Sequence, residues 1–133
     1  MSHATNQSPQ TLDQRRANHA WDVVQRAKPK SDAKKFGGQA KKLPTRIMAA
    51  GLGQALAFLK AKGYTPDLLT ELSTWLTQRI PPKQGEPNDL LERIVKGDSD
   101  FLRRATDEVM AYLLWLNRFA EAEGLTDEEG DDT

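Results

Sequence analysis

Few side chains in this sequence could perform acid–base or metal chemistry. The chain has two histidines, His3 and His19, and no cysteine, so thiolate nucleophiles, disulfides and cysteine-bound zinc are excluded. His19 could act as a general base, but a lone helical histidine beside Trp21 is more often a surface or boundary residue. Asp98 and Asp100 stand at the start of a predicted helix, where capping and the helix dipole explain them better than a metal does.

One glycine pair is superficially similar to a nucleotide-binding loop. Gly51–Leu52–Gly53 lies inside a predicted helix, follows no strand and has no lysine at the spacing of a phosphate-binding loop. With no nucleophile–base pair, carboxylate cleft or metal cluster, the sequence predicts a protein that is not an enzyme and needs no cofactor.

Basic side chains offer a different chemistry, because lysine and arginine neutralise phosphates. Residues 1–62 carry 12 Lys+Arg against 3 Asp+Glu, net +9, whereas residues 63–133 carry 7 against 16, net −9. This asymmetry predicts a basic surface for a polyanion and an acidic surface for a basic partner or for another copy of the chain, head to tail. Ordinary solvated helix faces remain the alternative for any single charge.

The stretch that must position these charges is a helix predicted over Leu43–Gly63. Pro44 suits a first helical turn, and Gly63 suits a left-handed C-terminal cap. Apolar residues recur at helical spacing between them, and Gly51 indicates close approach of another backbone or a bend. On this reasoning Gly51→Leu would overpack the fold.

Four further helices are predicted around it. They run from near Ser8 and Pro9 to Lys28, over residues 65–80 and 89–96, and from Asp100 to about Glu123. Residues 29–42 are predicted to be a basic connector with a short helical turn and a mobile Gly37–Gly38 pair. With no sustained period-two alternation, the fold class is all-α, a single-domain bundle of about five helices.

Length and composition set the domain limits. A chain of 133 residues, 38% hydrophobic, can bury one core, so we expect one helical domain over residues 9–124, a disordered segment 1–8 and an acidic disordered tail 125–133. No apolar run approaches the roughly 20 residues that span a bilayer, and the N-terminus lacks a secretory signal. We therefore expect a soluble, cytoplasmic protein with no membrane partner.

The last predicted helix has an unusually wide apolar face. Leu114 and Trp115 extend its stripe beyond the side that a bundle core would cover, so both are candidate interface residues. The alternative is that Trp115 completes the core against the first helix, in which case Trp115→Ala would lower stability by about 3–5 kcal/mol.

Two stretches resemble the small subunit of the type III-B CRISPR effector, the Cmr complex. The first helix, RRANHAWDVVQ, and the segment KKFGGQAKKLP are similar to the N-terminal region of that family, and the likeness extends over about residues 12–63. Within the central helix it is carried by Leu43–Pro44, Ile47, Gly51–Leu52, Leu56, Phe58 and Lys60.

The resemblance implies an all-helical, non-catalytic subunit that acts in antiviral defence. Its implied partners are other copies of itself, stacked head to tail, the other Cmr subunits, and the guide and target RNA backbones. The candidate RNA-binding residues come from this sequence and not from a family motif: Lys34, Lys35, Lys41, Lys42, Arg46 and Lys60. An adaptor that binds a basic protein and no RNA is the alternative; a helix-turn-helix DNA binder ranks third, because no base-reading helix stands out.

Overall fold

The computed structural model describes residues 8–126 and shows six α-helices between Leu12 and Ala122. No strand occurs in this range, which confirms the all-α prediction. The predictions for residues 1–8 and 125–133 fall outside the described residues, except at Ser8, Leu125 and Thr126. The helices are α1 (Leu12–Ala27), α2 (Ala33–Ala50), α3 (Leu52–Lys62), α4 (Pro66–Arg79), α5 (Leu90–Lys96) and α6 (Ser99–Ala122).

Helix α1 begins at Leu12, so the predicted start near Ser8 and Pro9 is wrong. Thr11 caps the helix through a reciprocal pair of bonds: its hydroxyl accepts from the Gln14 N–H at 3.0 Å, and its own N–H donates to Gln14 Oε1 at 2.8 Å. This capping box satisfies two terminal groups at once. The cap therefore places the helix start at Leu12, three residues after Pro9.

Helix α2 corrects the predicted connector over residues 29–42. The helix already begins at Ala33, so Gly37, Gly38 and Pro44 lie in its interior, and Pro44 does not open a first turn. Both glycines are buried, and the C-terminal segment crosses Gly37 closely: a Cβ on Gly37 would overlap the carbonyl of Leu125. Leu125 is itself only 5% exposed. Tertiary packing therefore stabilises a helical segment that its local composition describes as a loop.

Gly51 divides the predicted central helix into α2 and α3. Its φ is +90°, and no atom lies within 4 Å of the position that a Cβ would take. The expected overpacking by Gly51→Leu is therefore wrong, since the glycine is required by its backbone conformation and not by a close neighbour. Of the two possibilities raised by the sequence, the bend applies at Gly51 and the close backbone approach occurs at Gly37.

The remaining helix ends follow their local signals more closely. Gly63 adopts the predicted left-handed conformation, with φ +64°. Asp98 caps α6 by accepting from the Phe101 N–H at 2.9 Å, and Asp89 caps α5 in the same way. Thr65 precedes α4, but its side chain makes no capping bond. Proline at the first position of α4 compensates, because it has no N–H to satisfy.

Helix α6 is central to the bundle and packs along both α1 and α2. Its inward face is fully buried, and helices α1, α2 and α4 pack against it. The α6 members of this core are Ala105, Val109, Tyr112, Leu113, Leu116 and Ala120. No helix in the described part of the chain has both the length and the apolar content needed to cross a membrane.

A buried carboxylate, Glu108 of α6, ties three helices together. It is 5% exposed and accepts from Arg16 Nε at 2.7 Å and Nη2 at 3.0 Å, from Trp75 Nε1 at 2.9 Å and from Arg79 Nε at 3.2 Å. Burial acts to raise the pKa of Glu108, but the hydrogen bonds from Arg16 and Trp75 together with the charges of Arg16 and Arg79 hold that pKa below its usual value. The group is therefore a satisfied, charged junction of α1, α4 and α6.

We expect Glu108→Gln to lower the free energy of unfolding by about 3 kcal/mol at neutral pH, because it leaves two arginines around an uncharged group. Since the folded-state pKa of Glu108 lies below its unfolded value, the contribution is complete at neutral pH and disappears as pH falls through the folded-state pKa. Urea melts at pH 7 and at acidic pH measure both effects. Glu92→Gln, in an exposed pair with Lys96, is the control and should change stability by less than about 0.5 kcal/mol. Equal melts for the two variants would contradict this role of Glu108.

Gly37→Ala should destabilise the full chain, because the new methyl group overlaps the Leu125 carbonyl. In a chain ending at Glu123 the same substitution should be neutral or stabilising, by up to about 1 kcal/mol, since alanine favours a helix interior over glycine. A double-mutant cycle from thermal melts measures this reversal. The same loss of stability in both backgrounds would show that Gly37 is constrained by something other than Leu125.

Candidate nucleic-acid interface

Helices α2 and α3 form a surface without acidic side chains. From Ala33 to Pro66 the sequence contains no Asp or Glu, although Asp32 and Asp67 stand immediately outside. Seven cations lie in the same stretch: Lys34, Lys35, Lys41, Lys42, Arg46, Lys60 and Lys62. A surface with so many positive charges and no acid favours a polyanion.

Five of the candidate RNA-binding residues share one face of α2. At 100° per residue, Lys34, Lys35, Lys41, Lys42 and Arg46 fall within an arc of about 140°. The buried stripe of Phe36, Ala40, Leu43 and Ile47 occupies the other side. The first three lysines are exposed, and Lys42 and Arg46 are half-buried. The structure therefore brings these five predicted residues together.

Arg46 connects this face to α3 through an aromatic ring. Its guanidinium lies 4.6 Å from the Phe58 ring centroid, and the Lys62 ammonium approaches the same ring at 5.4 Å. Arg46 Nη1 also donates to Gln39 Oε1 at 2.7 Å, which holds the side chain along α2. Phe58 remains 40% exposed, so part of its ring is open to a ligand.

A second aromatic–cation pair lies where α3 ends. Lys35 Nζ is 5.2 Å from the ring centroid of Tyr64, which is also 40% exposed. Exposed rings among cations are the combination that binds single-stranded nucleic acid, since bases stack on the rings and phosphates meet the charges. Phe58, Lys62 and Tyr64 were not predicted as site residues, although the segment FLKAKGY shows basic and aromatic residues in alternation.

Lys60 lies apart from this cluster. It is two residues from both Phe58 and Lys62, about 160° around the helix from each. It lines a groove between α3 and α4 together with Leu69, Thr70 and Asn88. Of the six candidate RNA-binding residues, Lys60 is thus the one that lies on the α4 side of α3, away from Phe58 and Lys62.

Ion pairs within the molecule cancel much of the remaining charge asymmetry. Basic residues of α1 and the following turn bind acidic residues of the second half: Arg26 to Glu71 at 2.9 Å, Lys28 to Glu123 at 3.1 Å and Lys30 to Asp67 at 2.7 Å. The hydrogen bond that Lys30 donates to Asp67 raises the pKa of Lys30, and the bonds that Gln25 and Lys28 donate to Glu123 lower the pKa of Glu123. The basic surface left over is mainly that of α2 and α3.

The two candidate interface residues have different surroundings. Leu114 is 76% exposed, as expected of a residue outside the core. Trp115 is half-buried: its Nε1–H donates to Asp13 Oδ1 at 3.0 Å, and its ring lies 5.6 Å from that of Phe119. The Trp115 bond also lowers the pKa of Asp13. Trp115 therefore secures α6 to α1, while Leu114 is left available.

His19, the candidate base, packs in the core boundary. Its Nδ1 lies 2.7 Å from the Tyr112 hydroxyl, and its ring lies 5.3 Å from that of Trp75. Burial lowers the pKa of His19 and raises that of Tyr112. The pair therefore fits a neutral imidazole that accepts from the hydroxyl. Within residues 8–126, no three His, Asp or Glu side chains are grouped as a metal site would require.

Residues 12–123, from the start of α1 to the residue after α6, match the family model described as CRISPR-associated protein (Cas_Cmr5). The match extends the resemblance seen over residues 12–63 through the acidic half and the whole helical bundle. The chain belongs to the Cas_Cmr5 family, the small subunit of the type III-B CRISPR effector complex.

Proposed function

We propose that this protein is a non-catalytic subunit that lines the target-RNA groove of the type III-B effector with the exposed face of α2 and α3. The observation that carries the proposal is the acid-free stretch Ala33–Pro66, whose cations surround two exposed aromatic rings. Family membership indicates the complex to which the chain belongs. The α2–α3 surface is the part of the chain that we propose holds RNA.

The contacts expected on this surface do not depend on RNA sequence. Lys34, Lys41 and Lys42 reach phosphates, while Phe58 and Tyr64 accept the faces of any base. Such a surface suits a subunit that supports a strand whose sequence is recognised by pairing with a guide. Lys60, beyond the cluster, would meet RNA only if the strand continued over the α3–α4 groove.

Assembly with neighbouring copies requires a surface other than the RNA-binding one. Leu114 and the 45% exposed Trp21 leave apolar area on α6 and α1, on helices that do not carry the basic face. We propose that this area contacts the next subunit in a head-to-tail stack, in which two different patches meet and the contact propagates. Separate surfaces allow RNA binding and stacking to occur together.

An adaptor without an RNA role is the competing function. It would use the same apolar area and the acidic half, and the lysines of α2 would serve only solubility. The ion pairs of Glu71, Glu123 and Asp67 with the chain's own cations weigh against it, since those carboxylates are already occupied.

Replacing Lys41, Lys42 and Arg46 together with alanine should weaken RNA binding by the assembled complex. If each contacts a phosphate, the slope of log K against log salt should fall by about 2, at about 0.7 for each single-strand contact. Filter binding at several salt concentrations measures affinity and slope, and thermal melts check folding.

The matched control replaces Arg15, Arg103 and Arg118, three exposed cations of α1 and α6, and removes the same charge. An equal loss of affinity in the control would mean that total charge, not this surface, holds the RNA. Unchanged affinity in the test variant would favour the adaptor.

Leu114→Ser should leave the melting temperature within about 2 °C of the parent, because the side chain is 76% exposed. It should nevertheless impair joining to neighbouring subunits, which size-exclusion chromatography with the partner subunits measures. Val95→Ser, at a 73% exposed position on α5, is the control and should assemble normally. Normal assembly of both variants would place the interface elsewhere.

A further inference from the structure

A cleft of about 380 Å³ lies where the loop after α4 meets α5 and the start of α6, away from the α2–α3 surface. It is lined by more cations than acids, which is unusual in the acidic half of the chain. The basic residues that line it are Arg79, Lys83, Arg93, Lys96 and Arg104.

Arg93 is the buried member of this set. Its residue is 6% exposed, its guanidinium lies 4.5 Å from the Phe101 ring centroid, and it forms no ion pair with any residue in the range 8–126. The Nη1 atom is buried and has no hydrogen-bond partner there. Burial lowers the pKa of Arg93, and Glu86 opposes this only through its charge. A buried cation with so few partners is costly unless an anion completes it.

Local packing fixes the position of Arg93. Gly97 follows α5, and a Cβ there would crowd the Arg93 carbonyl and lie 3.3 Å from a Phe101 ring carbon. The absence of that Cβ allows Phe101 to lie beneath the guanidinium. Arg93, Gly97 and Phe101 thus form a preformed floor, which lowers the entropic cost of binding a ligand.

Two further cations at the cleft are also uncompensated. Within the described chain, the side chains of Arg104 and Lys83 form no ion pair or hydrogen bond, whereas Arg79 binds Glu108 and Lys96 binds Glu92.

The acids of the cleft are already occupied. Glu86 accepts from the Lys83 backbone N–H at 2.8 Å, Asp98 caps α6, and Asp100 pairs with Arg103 at 2.7 Å. The three cations without an ion pair, Arg93, Arg104 and Lys83, still outnumber the two lining carboxylates without one, those of Glu86 and Asp98.

We propose that this cleft binds a phosphate group, held by the guanidinium of Arg93 at its floor and by Arg104 and Lys83 at its rim. Two guanidinium forks and an ammonium match the several oxygens of a phosphate better than the two of a carboxylate. The phosphate could belong to a free ion, a nucleotide or a strand, since the cleft volume is of the size that accepts a small ligand. This site is additional to the RNA-lining surface and does not depend on it.

Titration of the ¹⁵N-labelled full chain with inorganic phosphate, replacing chloride at constant ionic strength, tests the proposal. We expect saturable NMR shifts centred on Gly97, Phe101 and the Arg93 Nε–H. Arg104→Gln should weaken phosphate binding at least fivefold. The variant should still fold, because Arg104 is exposed. Arg118→Gln, on the same helix about 21 Å away, removes the same charge and should change the affinity less than twofold.

Parallel titrations with adenosine monophosphate and a short oligouridine identify the source of the phosphate. Arg104-dependent shifts with any of the three ligands support the site. The ligand that binds most tightly identifies the source of the phosphate group. An equal response to acetate, no saturable response to any ligand, or equal losses for the Arg104 and Arg118 variants would overturn it. The α2 variant lacking Lys41, Lys42 and Arg46 should titrate normally, so failure here is distinguishable from failure of the RNA-lining role.

Discussion

The bundle depends on one buried charge, Glu108, at the junction of α1, α4 and α6. A carboxylate that is 5% exposed would be unfavourable alone, but four hydrogen bonds from Arg16, Trp75 and Arg79 compensate it. Each donor comes from a helix that α6 must pack against. The network therefore fixes the relative register of these helices, which apolar side chains alone specify less strictly.

Glycine determines how the basic surface is built on this frame. Gly37 allows the chain at Leu125 to cross α2 closely, which stabilises a helix through a Lys-rich and Gly-rich segment. Gly51, with φ +90°, then divides the chain so that α3 can turn and bring Phe58 against Arg46. A single straight helix over the same residues could not place these two side chains together, since they are twelve positions and about 18 Å apart along its axis.

The cations of this chain divide into those that form ion pairs within the fold and those that we propose bind a ligand. The cations of α1 and the turn after it, Arg16, Arg26, Lys28 and Lys30, pair with acids of the second half and so connect the two halves of the chain. The cations of α2 and α3 have no acid on their own helices. The proposed RNA surface is the stretch in which cations outnumber acids most strongly, and the Arg93 cleft is a smaller surplus of cations.

The sequence by itself determined the fold class, the family likeness, the left-handed cap at Gly63, a cap for the last helix at Asp98 or Ser99, and the list of candidate RNA residues. Those features depend on local periodicity and composition, which act within a few residues. Only the tertiary structure decided that residues 33–42 are helical and that Gly51 breaks a helix. It also decided that Phe58 and Tyr64 join the basic face and that Trp115 is held by Asp13. Each of these depends on contacts between residues distant in the chain, whose energies local patterns do not contain.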